Sequence, residues 1–143
     1  MIIKPKFGVD NLLFGMKQAN VEAILGVPDK KFKDEDKNII YLYNNLKLRF
    51  TFYEDEDFRF GYLITSNPLA TILDQEIIGK NCNQVIEKLT DKGFKIWEKE
   101  TFDSVENNFN ETNWTIIQSE FDEVIKIEIG AVFDKKDEFD WKF

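Results

Sequence analysis

The sequence predicts an α+β fold in which a short helix followed by an antiparallel meander occurs twice. The two units together build one sheet of about six to eight strands with the helices on one face. Three observations carry this. Gly15, Val21 and Leu25 return as Gly79, Val85 and Leu89, an offset of 64 residues in a chain of 143, which marks an internal duplication. Each stretch has helical apolar spacing and is followed by runs that alternate apolar and polar residues. A hydrophobic content of 43%, with 14 Phe, 4 Tyr and 3 Trp, supplies a packed interior and excludes a disordered chain. The repeats fall at 1–70 and 71–143, and a chain of this length holds them in one continuous structural domain.

Repeat one opens with a helix over Gly15–Gly26, where Val21, Ile24 and Leu25 share one face. Gly26 ends it and Pro28 cannot continue it. Lys17 stands where a capping side chain belongs, so this helix starts without one. The acidic connector Asp34–Asn38 leads to a strand over Ile39–Tyr43 and a turn at Asn44-Asn45. In the next strand Leu46, Leu48, Phe50 and Phe52 point inward, while Lys47, Arg49, Thr51 and Tyr53 point outward. After the turn Glu54–Asp57, a third strand is read with Phe58, Phe60, Tyr62 and Ile64 inward and Arg59, Gly61, Leu63 and Thr65 outward. Asn67-Pro68 closes the unit.

Repeat two follows the same order. Asn81 is a good N-cap and Gln84 completes a capping-box pattern. Val85 and Leu89 are the buried helix positions, and Gly93 ends the helix. Strands are expected at Phe94–Phe102, Thr112–Ser119 and Val124–Phe133. In the last, Ile125, Ile127, Ile129, Ala131 and Phe133 share a face. The final segment, Asp134–Phe143, reads as an edge strand docking Phe139, Trp141 and Phe143 on the core.

Composition removes several chemistries. The chain has no histidine and one cysteine, so Cys/His zinc sites and His-assisted nucleophilic catalysis are excluded. Paired carboxylates are the remaining route to catalysis, and the acids concentrate in turns, so a non-enzyme is expected, with no cofactor and no metal. Cys82 follows the second N-cap, where a helix dipole lowers a thiol pKa. With no histidine to activate it, it reads as a small buried residue. One cysteine, no signal-like N-terminus and no apolar run of about 20 residues give the expectation of a cytoplasmic protein. The net charge of −8 lies wholly in residues 72–143, and this disfavours nucleic acid and favours a basic partner.

The string Phe14-Gly15-Met16, followed by Val21, Leu25-Gly26 and Pro28-Asp29, resembles the repeat signature of the β-lactamase-inhibitor-protein-like fold. Small lipoproteins of the outer-membrane barrel-assembly machinery share that signature. It returns over residues 78–93 as Ile78-Gly79, Val85 and Leu89 without the proline. The resemblance implies a binding module, since in the inhibitor tandem repeats form a concave sheet that grips another protein. The chain departs from these relatives in lacking the inhibitor's disulfides and the lipoproteins' N-terminal cysteine. An acidic protein of this layout resembles bacterial immunity proteins, which neutralise a toxin by binding it.

Partner-binding candidates therefore lie on the outward sheet face: Arg49, Tyr53, Arg59, Trp97, Lys99, Lys126 and Glu128, together with Lys47, Thr51, Lys95 and Thr115. Arg, Tyr and Trp combine large buried area with a polar group, which is why they dominate interface hot spots. The expected partner is another protein of basic character, such as a toxin, with no nucleic acid and no membrane. A homodimer through the exposed sheet edges stays open. The alternative function is a small-molecule or lipid carrier with its cavity between sheet and helices.

Overall fold

The structure, a computed structural model, describes residues 1–143. The chain begins with three short strands, β1 (Ile2–Lys4), β2 (Gly8–Val9) and β3 (Leu12–Leu13), then α1 (Gln18–Leu25). A meander follows: β4 (Lys30–Lys33), β5 (Ile39–Tyr43), β6 (Leu48–Tyr53) and β7 (Arg59–Thr65). The second half repeats the order with β8 (Thr71–Ile72), β9 (Gln75–Glu76) and α2 (Cys82–Asp91). Its meander comprises β10 (Glu98–Phe102), β11 (Val105–Asn110), β12 (Thr115–Glu120) and β13 (Glu123–Gly130).

The α+β class is as the sequence predicts, but the single sheet is not. The eight longer strands form one antiparallel sheet in the order β10-β11-β12-β13-β7-β6-β5-β4. Five short strands form a second sheet, β3-β2-β1-β8-β9, in which Ile2 and Ile3 pair in parallel with Thr71 and Ile72. Strands of two residues leave no alternation to read; β2 and β8 have neighbours on both sides to satisfy their backbone, while β3 and β9 close the two edges. β4 and β11 were also not expected.

Both helices are short and depend on packing. Asn81 Oδ1 accepts the Gln84 N–H at 3.1 Å, the cap the sequence predicts. At α1, Asn20 Oδ1 reaches back to the Lys17 N–H at 2.9 Å. Lys17 Nζ is drawn off to the Asp57 carboxylate at 2.8 Å, which holds that carboxyl below its usual range. Val21, Val85 and Leu89 join a single buried cluster with Tyr41, Phe50, Phe52, Phe60, Ile117 and Ile127 of the large sheet. The cluster continues into Ile3, Leu12 and Ile72 of the small one. Helices and small sheet thus cover one face of the large sheet together, and the other face is left open.

Two irregularities decide which side chains reach that open face. The pairing of β6 with β7 shifts between Thr51 and Phe52. Beyond the shift Leu63 and Thr65 are buried in the core, while Tyr62 and Ile64 turn outward, the reverse of the expected alternation. A second shift, between Gln118 and Ser119, buries Val124 in place of Ile125. Thr115, expected outward, is fully buried. The C-terminal segment is an irregular strap and not an edge strand. It holds on through a Phe133↔Phe139 bridge and a Lys142 N–H to Phe14 O bond of 3.0 Å. Phe139 and Trp141 pack against the core, whereas Phe143 is exposed. No helix is long and apolar enough to cross a membrane.

Candidate functional site

The open face carries a half-open groove of about 490 Å³, within the range of small-ligand and side-chain pockets. It runs from the edge strand to the strap. Glu98 and Glu100 come from β10, Asn107 and Phe109 from β11, Ile116 from β12, and Tyr53 and Tyr62 from β6 and β7. Trp114, in the β11–β12 turn, and Phe133 and Phe139 of the strap close the sides. The twist of a large antiparallel sheet makes such a face concave.

Two glycines set the depth of this surface. A Cβ on Gly61 would stand 2.1 Å from Tyr53 Cε2, and one on Gly130 would stand 2.5 Å from Trp114 Cδ1. Both rings therefore lie directly on bare strand backbone, each filling the space a side chain would take. Trp114 meets Phe109 edge-on at 5.0 Å. Tyr53 stacks on Phe139 at 5.8 Å, and Phe139 in turn contacts Phe133 at 4.5 Å and Trp141 at 4.7 Å. The strap thus serves as an aromatic wall.

The polar groups are few and uneven in sign. Burial pushes the Tyr53 phenol up to about 12. Tyr62 is raised as well, first by burial and then by donating its proton to Glu128 Oε1 at 2.5 Å. Both phenols are neutral donors at physiological pH. Glu128 also receives Lys126 at 3.4 Å, so its charge is compensated. Gln118 Nε2 donates to Asn107 Oδ1 at 2.8 Å. Glu98 and Glu100 take part in none of the ion pairs of the structure. The groove therefore combines an aromatic lining with two carboxylates that lack a cation.

Of the residues singled out in the sequence, Arg49, Tyr53, Arg59, Lys126 and Glu128 share the open face by register. Tyr53 alone among them lines the groove; Arg49 and Lys126 border a separate depression with Lys47 and Ile64. Trp97 and Lys99 are corrections. Trp97 faces α2, donating Nε1–H to Thr90 Oγ1 at 3.0 Å and stacking on Phe94. Lys99 lies opposite Asn108, whose amide donates to the buried Cys82 Sγ at 3.4 Å on the helix side. The cause is a register slip of one residue, which exchanges the faces of a strand. β10 starts at Glu98, not Phe94, and it is Glu98 and Glu100 that point to the open side.

Asn107, Phe109, Trp114 and Ile116 were missed altogether. Their signal was Phe109 and Trp114 flanking a turn in an otherwise polar run. Cys82 is buried as expected, but burial pushes its thiol up instead of a helix dipole lowering it. The cavity itself lies on the face opposite to the one expected for a carrier.

No protein-family model matches this chain, and no curated protein matches it. Among solved structures it is similar to an extracellular protein containing an SCP domain from Bacillus anthracis str. Ames, with a TM-score of 0.51 at 13% identity. The match covers 80% of this chain and 43% of that one. The chain thus spans less than half the length of that protein, and the likeness concerns fold alone.

Proposed function

We propose that this chain is a non-catalytic protein-binding module that holds a basic partner against the open face of its large sheet. One observation carries the reading: the groove of about 490 Å³ has an aromatic lining and two carboxylates, Glu98 and Glu100, without a counter-cation. A lysine or arginine side chain satisfies both features at once, laying its apolar stem on the rings and its charge between the acids. The excess of acid in the second half supports fast encounter with such a partner. An immunity- or inhibitor-type role, in which the bound partner is blocked sterically, is the functional form of this proposal. The resemblance of residues 14–29 to an inhibitor repeat favours that form.

The test uses tagged protein as bait in a lysate of its source cells, beside Phe109→Ala/Trp114→Ala and Glu98→Lys/Glu100→Lys variants. A stoichiometric basic protein retained by the wild type and lost from both variants is expected. A partner held equally by all three baits refutes the reading. The groove volume also supports a second reading, capture of a small apolar molecule. In native mass spectrometry that reading predicts a bound mass that disappears in the Phe109→Ala/Trp114→Ala variant.

A further inference from the structure

The two edges of the large sheet are built differently. β4 carries Lys30, Lys31 and Lys33 around Phe32 in four residues, and lysines on an edge repel incoming strands. At the other edge all five residues of β10, Glu98 to Phe102, are exposed. This strand pairs only with β11, so its outer backbone groups have no ladder partner. Its side chains are sorted by face: Glu98 and Glu100 border the groove, while Lys99 lies on the helix side.

We propose that β10 is a strand-addition edge: an extended basic segment of the partner docks beside it as a ninth strand, placing alternate lysine or arginine side chains opposite Glu98 and Glu100. This rests on the protein-binding reading above and specifies its mode. Residues two apart in a strand share a face, so a segment with a cation at every second position meets both carboxylates. Directly opposed side chains in adjacent strands lie about 5 Å apart at Cβ, close enough for ion pairing. Main-chain hydrogen bonds supply affinity and the alternate side chains supply specificity. The groove behind Glu98 and Glu100, with Phe109 and Trp114 in it, receives the longer of these side chains.

A second copy of the chain fits this edge less well. Its β4 presents Lys30 and Phe32 on the open side, as Tyr41 and Ile39 opposite Lys31 and Lys33 lie toward the helices. Lys31 and Lys33 then fall on the face that carries Lys99, and like charges in opposed positions destabilise a pair. Joining β4 to β10 is moreover head-to-tail, which builds a ring or an open filament and not a two-fold dimer.

The test uses the whole protein, labelled with ¹⁵N, and two octapeptides of equal charge: alternating lysine and valine, and alternating lysine and proline. Proline has no N–H to give to the ladder. The valine peptide is expected to bind at least about tenfold tighter, because each ladder bond contributes a net fraction of the affinity. Its amide shifts are expected over Glu98–Phe102 and Phe109, and to be lost in Glu98→Gln/Glu100→Gln. Equal binding of the two peptides, shifts centred on β4, or no binding of either overturns strand addition. So does concentration-dependent self-association abolished by Lys30→Glu, which assigns the edge to a second copy; Lys30 shares the open side with Glu98 and Glu100 and would pair with them across a β4–β10 joint. Any of these results leaves the protein-binding reading standing if the groove variants still lose their partner from lysate. Valine-peptide binding with an unaltered lysate partner overturns the reading of the groove instead.

Discussion

Replacing Gly61 by alanine tests the seating of Tyr53 on bare backbone. The new methyl carbon arrives 2.1 Å from Tyr53 Cε2 and 2.4 Å from Cδ2, where carbon atoms need about 3.5–4.0 Å. The ring must withdraw by roughly 1.5 Å, and its stack on Phe139 goes with it. Gly61 lies outside the left-handed region, so alanine suits the backbone and gains about 0.4–1 kcal/mol through the unfolded chain. Overpacking costs about 1–3 kcal/mol, within which the lost aromatic pair accounts for about 0.5–1.5. The net expectation is a loss of about 1–2 kcal/mol, or a fall in Tm of roughly 3–8 °C. Thermal unfolding followed by circular dichroism reads the first quantity. Tyrosinate absorbance reads a second, because Tyr53, held near 12 by burial, moves back toward its ordinary value. In a Tyr53→Ala background the sign should reverse, with Gly61→Ala stabilising by about 0.4–1 kcal/mol. Unchanged stability with an unchanged Tyr53 titration, or the same loss in both backgrounds, refutes the reasoning.

All four tyrosines resist ionisation. Tyr43 and Tyr53 are pushed up to about 12, chiefly by burial, and Tyr41 and Tyr62 are raised for the same reason and by Glu22 and Glu128. The unfolded chain ionises first, so stability present below pH 10 is lost as the pH rises from about 10 to 12. Urea midpoints across that window should fall, with tyrosinate appearing together with unfolding; four independent titrations near pH 10 contradict this. Trp97→Ala should cost about 1–3 kcal/mol of stability, through the lost Thr90 bond and Phe94 stack, and leave partner dissociation unchanged. Trp114→Ala should raise the dissociation rate about tenfold or more; surface plasmon resonance separates the two.

The parts of the fold that could be read were those where burial imposes a period. α2 followed from the Asn81 cap and from Val85 and Leu89, and β6 from Leu48, Phe50 and Phe52, the apolar positions all buried as their spacing requires. What failed did so for definite reasons. In β7 both faces are apolar, since Phe60 and Leu63 face the core while Tyr62 lines the groove, and no polarity contrast reveals the shift at Thr51/Phe52. β11 reads as a loop because Asn107, Asn108 and Asn110 are polar. Yet Asn108 and Asn110 are buried and find partners in Cys82 Sγ and Ile96 O. β10 was misplaced because its five residues are all exposed, leaving nothing to phase it. Placement on the open face suffered accordingly: Tyr53 lies there and lines the groove, whereas Trp97 and Lys99 lie toward the helices and Glu98, Glu100 and Trp114 take their place on the open side.

The joining of β7 to β13 reaches beyond architecture. The strand order is a palindrome in which the last strand of each half is the inner neighbour of the other. Neither half therefore owns a complete sheet, and β1 must find β8 across the same divide. These pairings span some 60 to 70 residues, a high contact order that places folding among the slower topologies. The connection near Leu69, which is 73% exposed, is the one place where the chain passes between the halves. A break there produces two fragments that each present an unsatisfied inner strand, and fragment complementation through β7 and β13 is the way either regains a native environment.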